Sequence, residues 1–397
     1  DIILPSTVSY SGKEYSVKQI GDYSFEGCSN LTSIKIPESV TYIGRESFEG
    51  CNGLTELTIP NGVKIIREIA FSECHNIREL SISNSVTEIG WLAFGGCLSL
   101  TTVNIPNGVN IHSGAFAHCI SLTSFTSEYA TTDYSCLVKD GELLAFAPSG
   151  LTSYSIPDGV TNIGTQSFHG CTNLTSITIP NGVTDIGYMT FYGCENLNSI
   201  VIPNSVTTLH YRAFSNCKGL TSIYIPNSVT SIGDESFDFC ESLENITIDN
   251  SNPSMITMGH NIFTNVPTST CKLYVPSGSE DLYRQAEHWS AFTNIAGIKF
   301  DFEIDGIYYN ILSEEERTCE VTKGYNDYSG SVIIPSNVSY NSKTFSVTSI
   351  GNRSFYDGRC LTSITLPNSL TSIGNEAFRY CDGLTTVNIP NGVTSIG

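Results

Sequence analysis

One pattern of apolar and polar positions recurs along the chain with a step of 23 residues. It is clearest in residues 174–197 and restarts at Leu197, Leu220 and Leu243, and earlier at Leu31, Leu54, Ile77 and Leu100. A fixed period in this range is typical of a solenoid, in which each repeat packs only against its neighbours. The pattern therefore predicts a repeat solenoid built from turns of about 23 residues, here called rungs.

Within one rung the residue pattern predicts three short elements. Residues 174–179 alternate between apolar and polar positions, which predicts a strand with one buried face. A Pro-Asn-Gly turn ends this strand and precedes a short return strand, after which Gly187 permits a backbone angle that a side chain would resist. Phe191 and Cys194 are three residues apart, which predicts a helical or 3₁₀ turn that points both inward.

The full pattern is Leu-x-x-Ile-x-Ile-Pro-x-x-Val-x-x-Ile-Gly-x-x-x-Phe-x-x-Cys. It resembles the BspA-like leucine-rich repeats (LRR_5 type) of bacterial surface proteins, and the resemblance covers most of the chain. This family implies a leucine-rich-repeat horseshoe with a parallel concave β-sheet, short return strands and short helical or 3₁₀ turns. It also implies adhesion to host extracellular matrix or host-cell proteins, which is an analogy at the level of the fold.

Irregular stretches divide the chain into predicted segments. An irregular hairpin rung at about 122–150 contains Asp140-Gly141, which predicts a type I′ turn, and this hairpin is expected to add to an edge of the solenoid. A capping box at Ser277–Glu280 predicts a helix through about Trp289. The expected segments are a first solenoid at 1–276, a helical C-terminal cap at 277–300, a β-rich N-terminal cap of a second unit at 301–330 and a truncated second unit at 331–397.

Residues 331–361 repeat residues 1–31 at an offset of 330, so that Pro335 matches Pro5 and Phe355 matches Phe25. The chain therefore reads as the rear of one unit followed by the front of another. This leads to the expectation that it is part of a longer tandem repeat array.

Composition restricts the possible partners. Acidic residues outnumber basic ones 39 to 19, and a net charge of −20 disfavours nucleic acid and anionic membranes. There is no run of 18 apolar residues, so membrane insertion of this chain is not expected. The remaining partner class is a protein or glycan ligand, with host extracellular matrix as the candidate that the family resemblance implies. The family resemblance places such a chain on the cell surface of a bacterium or among its secreted proteins, anchored by parts outside this chain.

Cysteine spacing also follows the repeat. Ten of the fourteen cysteines lie one per rung, each three residues after the repeat Phe, and there is no CxxC pair, which disfavours a zinc cluster. Neighbouring thiols would be close enough for disulfides, but identical rungs hold their Cβ atoms parallel instead of facing. The prediction is therefore a ladder of buried thiols that act as small apolar residues and weak donors to loop carbonyls.

Polar residues of the Leu-x-x-Ile-x-Ile strands that point into the expected concave groove are mostly Ser and Thr. They are interpreted either as a soluble sheet surface or as a hydroxyl-rich face for a glycan or protein. Glu56 and Glu79 occupy the same position on adjacent rungs, near the carboxyl separation of retaining glycosidases. Lys35 and Arg78 are expected to neutralise them, and no aromatic residue faces them. No catalytic, cofactor-binding or metal-binding residues are predicted.

Residues that break the repeat at exposed positions are the best candidates for binding. Three rungs carry large side chains just after the return strand where most rungs carry polar pairs, and Tyr188 and Tyr211 are expected to stack side by side. Exposed aromatics with an arginine are typical of protein interfaces, although they could also fold over a neighbouring rung. The candidate protein-binding residues are Trp91, Leu92, Tyr188, Met189, Tyr211, Arg212 and, on the front strand, Tyr224.

Three functions remain open from the sequence. The favoured one is a non-enzymatic adhesion module of the cell surface. A structural spacer in a tandem surface array is the alternative, and a carbohydrate-active enzyme using Glu56 and Glu79 is the third.

Overall fold

The computed structural model describes residues 1–298, 300–324, 328–341 and 343–397, and the rungs stack in register. Residues 299, 325–327 and 342, which fall within the predicted caps and second unit, lie outside the described residues. The Leu-x-x-Ile-x-Ile segments pair in parallel, for example Ile177 with Ile200. They form three two-stranded sheets and one seven-stranded sheet, which together are called here the front sheet. Its strands are Ile2–Ile3, Ile34–Lys35, Glu56–Ile59, Glu79–Ile82, Thr102–Asn104, Ser124–Thr126, Ser153–Ser155, Ser176–Thr178, Ser199–Val201, Ser222–Ile225, Asn245–Ile248, Lys272–Pro276 and Asn294–Ile298.

A second set of short parallel strands forms the return side of each rung. One return sheet contains Gln19–Ile20, Tyr42–Ile43, Ile65–Ile66, Glu88–Ile89 and Asn110–Ile111. The other contains Cys136–Lys139, Glu142–Phe146, Asn162–Ile163, Asp185–Ile186, Thr208–Leu209, Ser231–Ile232 and Thr257–Met258. The predicted parallel solenoid is therefore confirmed.

The third side of each rung, here called the turn face, differs from the expected helical or 3₁₀ turn. Within it, the Cys51 N–H donates to the Phe48 carbonyl, which closes a tight turn. Two residues per rung have a left-handed backbone, such as Glu46 with φ 52° and Gly50 with φ 68°. This alternation turns successive N–H groups toward the next rung, where Phe48 donates to the Ala70 carbonyl at 2.8 Å. Hydrogen bonds between rungs replace the bonds that a helix would make within one.

Gly187 is required for a different reason from the one predicted. It does not have a left-handed backbone. Instead, a Cβ at this position would lie 2.8 Å from the carbonyl oxygen of Ile163 in the rung before it. The glycine is therefore needed because two backbones approach closely, not because of an unusual dihedral angle.

Gly50, in contrast, tests the left-handed turn directly, because a Cβ there would meet only Gly27 Cα at 3.8 Å. We expect Gly50→Ala to lower the free energy of unfolding by about 1 kcal/mol, since L-residues with side chains resist this backbone region. Gly50→Asn should lower the free energy of unfolding by about half as much, because Asn tolerates the left-handed backbone region better than Ala does. Urea unfolding followed by circular dichroism measures both, and equal stability of Gly50→Ala and the parent protein would contradict the assignment.

The repeat phenylalanines form the predicted column in the core. Ring centroids are separated by 5.3 Å from Phe168 to Phe191, 5.3 Å from Phe191 to Phe214 and 5.5 Å from Phe214 to Phe237. The rings are buried and stacked on one another. Each rung therefore covers the apolar face that its neighbour exposes.

The cysteine ladder lies beside this column. All fourteen cysteines are free, and nine of the ten ladder thiols are buried, with Cys28 exposed in the first complete rung. Cys194 Sγ donates to the Phe168 carbonyl at 3.2 Å and Cys217 Sγ to the Phe191 carbonyl at 3.1 Å. The interpretation of buried thiols as weak donors to loop carbonyls is therefore confirmed.

The hairpin Cys136–Lys139 with Glu142–Phe146 has the predicted type I′ turn, with φ 51° at Asp140 and 81° at Gly141. As expected, it adds to a sheet edge, because Glu142–Phe146 pairs in parallel with the return strand Asn162–Ile163 and Cys136–Lys139 is the last strand of that return sheet. Leu144 belongs to the core cluster of the earlier rungs, whereas Leu143 belongs to that of the later ones. The hairpin is inserted into the stack because its alternating side chains pack against both neighbours.

The C-terminal end of this stack is covered by a short helical segment. The α-helix Glu280–Gln285 is shorter than predicted, and it is followed by the 3₁₀ turn Trp289–Ala291. Trp289 and Tyr283 are buried, as expected for cap residues, and another 3₁₀ turn lies at Pro253–Met255. The front sheet also gains a further strand, Asn294–Ile298, that the sequence pattern did not predict. Among the described residues, none of the helices has the length and apolar character needed to cross a bilayer.

Residues from Phe302 onward have a separate hydrophobic core. Their main sheet contains Phe302–Ile304, Ile307–Ser313, Thr318–Thr322, Lys343–Ile350, Ser372–Ile373 and Ser395–Ile396, with Asn337–Tyr340 paired to Lys343–Ile350. Front-type strands Gly330–Ile333 and Leu361–Thr365 pair in parallel. The hairpin Thr7–Tyr10 with Lys13–Ser16 has the same antiparallel form near the start of the chain. These features agree with two related units, although the unit boundaries stay a prediction.

Candidate binding surface

Three of the predicted binding residues occupy the same place on the turn face, three residues before the column phenylalanine of their rung. Tyr188 is 52% exposed and Trp91 is 37% exposed, whereas Tyr211 is half-buried. The rungs of Trp91 and Tyr188 are separated by four steps along the stack, which is about 19 Å at a strand spacing of about 4.8 Å. Trp91 and Leu92 are therefore not part of the surface that contains Tyr188 and Tyr211.

Tyr188 does not stack on Tyr211 as expected. Its ring lies over His210, with centroids 4.8 Å apart. His210 stands at the return-strand position that is glycine in the neighbouring rungs, so it carries a side chain over a turn that those rungs leave open. The His210 Nε2 atom lies 3.7 Å from Asp185 Oδ1, which positions the imidazole under the tyrosine ring.

Tyr211 and Arg212 form a second pair on the next rung. The Arg212 guanidinium lies 5.0 Å from the Tyr211 ring centroid, in a cation–π arrangement, and bonds Glu235 at 2.5 Å. Met189 is half-buried, and its sulfur accepts a hydrogen bond from Gln166 at 3.3 Å. The exposed aromatics therefore rest on polar contacts that hold their orientation.

The sequence analysis missed three aromatic residues beside this pair. The rings of His118 and His169 stack at 5.2 Å, and Tyr192 meets His169 edge-on at 5.1 Å. Burial, reinforced by His118, lowers the pKa of His169 to about 4, so this imidazole is neutral at neutral pH. The signal in the sequence was the residue one or two places after the repeat phenylalanine, a position occupied by small or polar residues on several other rungs.

Tyr192 also lies close enough to Arg212 to act on its charge, so that these residues lie together on neighbouring rungs in a surface here called the aromatic patch. Tyr188 is exposed, Tyr192 and Tyr211 are half-buried, and its arginine is already held by a carboxylate. Such residues provide most of the binding energy in many protein interfaces. The patch consists of Tyr188, Tyr192, His210, Tyr211 and Arg212.

Tyr224 is not an exposed binding residue. It is only 6% exposed, and its hydroxyl donates to Asp249 Oδ2 at 3.3 Å. Glu303 and Tyr308 lie close enough to act on the same hydroxyl, so the later part of the chain approaches the front sheet here. Burial raises the pKa of Asp249 to about 6. The expectation that Tyr224 lies on an open front sheet is wrong at this rung, while a binding role for Tyr224 stays a prediction.

The Glu56 and Glu79 pair is in the predicted register, directly opposite each other on adjacent front strands. Both side chains are exposed. In the described part of the chain, neither forms an ion pair with Lys35 or Arg78, so the expected neutralisation is not seen. The pair lies on an exposed sheet surface, without the enclosure that acid catalysis on a sugar uses.

Glu26, Glu46 and Glu49 bring carboxylate oxygens within 4.8 Å of one another on the turn face. Glu46 is already bound by Arg45 at 2.7 Å. Burial, followed by the charges of Glu46 and Glu26, raises the pKa of Glu49, so its charged form is disfavoured at this place. We therefore assign no metal to this cluster.

Comparison with known proteins agrees with this architecture. A family model described as a BspA type leucine rich repeat region matches with six copies over residues 9–132, 144–270 and 331–397. The chain is similar to a leucine-rich cell surface protein from Faecalibacterium prausnitzii, with 27% identity, 75% of this chain and 91% of that chain covered, and a TM-score of 0.54. It shares its fold with the pneumococcal vaccine antigen PcpA, with 21% identity, coverage of 75% and 88%, and a TM-score of 0.58.

A leucine-rich repeat protein from Bacteroides ovatus is 27% identical over 96% of this chain and 85% of that chain, with a TM-score of 0.46. No match was found among curated proteins.

Proposed function

Since the chain belongs to the BspA-type leucine-rich repeat family, we propose that it is a non-enzymatic binding module that acts at a bacterial surface and recognises a host or extracellular-matrix protein. A structure relative described as a cell surface protein supports the location. The observation that carries the proposal is the aromatic patch. Its rings are ordered by contacts between rungs, and Tyr188 is 52% exposed.

The patch has the chemistry of a protein interface. Tyrosine provides a large contact area at a small cost in side-chain entropy, and its hydroxyl can bond a partner. Because Tyr188 rests on His210 and Arg212 rests on Tyr211, little further ordering is needed when a partner binds. The front sheet with Glu56 and Glu79 supports a binding surface better than catalysis, since both carboxylates lie on an exposed face.

The experiment is a binding screen of the full chain against immobilised fibronectin, laminin and type I collagen. We expect saturable binding to at least one of them, weakened about tenfold or more by the double variant Tyr188→Ser/Tyr211→Ser. Tyr188 is exposed and Tyr211 half-buried, so the fold should persist, and circular dichroism verifies this.

Tyr10→Ser/Tyr15→Ser is the matched control, because both tyrosines are exposed on the hairpin near the start of the chain. It should bind like the parent protein. Equal weakening by the two double variants would contradict a role for the aromatic patch. Absence of binding to every protein in the screen would favour the alternative, a structural spacer.

A further inference from the structure

A second candidate site lies on the front sheet instead of the turn face, in a cleft between this sheet and the later part of the chain. Its cavity is about 450 Å³, within the range of small-molecule and oligosaccharide pockets. One wall is formed by the front strands Ser222–Ile225, Asn245–Ile248 and Lys272–Pro276. The opposite wall is the turn face around Phe355, and beside the cleft Ser199 Oγ lies 3.4 Å from Cys360 Sγ.

Positive charge is concentrated in this cleft, although the chain as a whole is strongly acidic. Four of the 19 basic residues of the chain line the cavity, together with two acidic residues, Glu244 and Asp357. The basic residues are Lys272, Lys323, Arg353 and Arg359. An anionic ligand is therefore attracted here against the repulsion of the rest of the molecule.

The basic side chains differ in how far they are already neutralised. Arg359 bonds Asp357 at 2.7 Å, and Arg353 bonds Glu376 at 2.5 Å. Lys272 is exposed, and it forms no ion pair within the described ranges of the chain. Its ammonium group is consequently the one most available to a carboxylate in the cleft.

Aromatic rings and small polar side chains complete the lining. Tyr274, Tyr356 and Tyr380 border the cavity, and the rings of Tyr356 and Tyr380 meet edge-on at 5.5 Å. Arg353 lies 5.2 Å from the Tyr356 ring centroid and Arg379 lies 4.8 Å from that of Tyr380, whereas Tyr274 has no such cation contact among the described residues. The Tyr274 ring is therefore the flat apolar face best placed for the C–H face of a sugar. The sheet supplies Asn245 and Thr247, whose amide and hydroxyl groups can bond sugar hydroxyls.

From this lining we propose that the cleft binds an acidic oligosaccharide that carries carboxylates. Bound peptides often add a strand to a free sheet edge. Here every lining front strand already has a partner on both sides, as Asn245–Ile248 does with Ser222–Ile225 and Lys272–Pro276. The combination of ring faces, polar sheet groups and an unpaired lysine fits a sugar acid better than a peptide.

The test uses isothermal titration of the full chain with a hexasaccharide of alternating glucuronate and N-acetylglucosamine. The comparison ligand is the neutral hexasaccharide of N-acetylglucosamine. We expect the acidic ligand alone to bind, and its affinity to fall when NaCl is raised from about 50 mM to about 300 mM, because salt screens the charges. Lys272→Gln should weaken binding about tenfold, as expected for loss of one charge-assisted contact, and Tyr274→Ser should also weaken it.

Lys35→Gln is the matched control, since Lys35 is also an exposed lysine on a front strand and lies outside the cleft. It should leave the affinity unchanged. Absence of binding by the acidic hexasaccharide, equal binding of the neutral one, or equal effects of Lys272→Gln and Lys35→Gln would each overturn the proposal. Binding to matrix proteins through the aromatic patch is unaffected by Lys272→Gln, so the two proposals can fail separately.

Discussion

Phe191→Ala is expected to lower the free energy of unfolding by about 3–5 kcal/mol. The Phe191 ring is fully buried, and it lies 5.3 Å from the rings of both Phe168 and Phe214. Its removal leaves a cavity that two packed rungs cannot collapse to fill, and it breaks the column in the middle of the stack. Urea unfolding followed by circular dichroism measures the change.

Phe239→Ala is the matched control, because it makes the same truncation on a ring that is 43% exposed and outside the column. Its expected change is within about 0.5 kcal/mol. A loss of stability at Phe191 no greater than that at Phe239 would contradict the account of the column as the main apolar contact between rungs.

The second large effect concerns thiol reactivity. Of the fourteen cysteines, only Cys28 is exposed and only Cys360 is half-buried. Burial raises the pKa of Cys74 to about 12, which leaves about one thiolate in ten thousand near pH 8. We expect iodoacetamide to label Cys28 rapidly and Cys360 more slowly in the native protein, with the other twelve protected.

Mass spectrometry of the labelled protein counts the modified sites, and labelling in concentrated guanidinium should reach all fourteen. Cys28→Ser should remove the rapid phase while leaving the protection of the others unchanged. Rapid native labelling of Cys217, or disulfide-linked peptides from the unreduced protein, would disagree with the buried ladder. Such a result would mean that the bond from Cys217 Sγ to the Phe191 carbonyl is not maintained in solution.

Much of the architecture could be predicted because it repeats. An apolar residue that returns every 23 positions must meet its counterpart if rungs stack, so the Phe column and the parallel front strands followed from the spacing. The cysteine ladder followed for the same reason. The turn face was predicted less well, since Phe191 and Cys194 have a spacing that fits both a helical turn and the observed pair of tight turns.

The candidate site was predicted only in part. Tyr188 and Tyr211 were identified because they break the repeat. The repeat pattern suggested that Tyr188 stacks on Tyr211, whereas in the structure its ring stacks on His210. Tyr224 was placed on an open face because no local feature predicts that Glu303 and Tyr308 approach it. Contacts between residues so far apart in the chain depend on how the later unit packs.

The sequence by itself determined the period, the polarity of each position in a rung and the order of the rungs. These are local properties that each repeat carries and that stacking multiplies. Only the tertiary structure decided the insertion of the hairpin at Glu142–Phe146, the burial of Tyr224 and the basic cleft beside Lys272. Each of these arises where the repeat is interrupted or where distant rungs meet, so that no neighbouring copy specifies the contact.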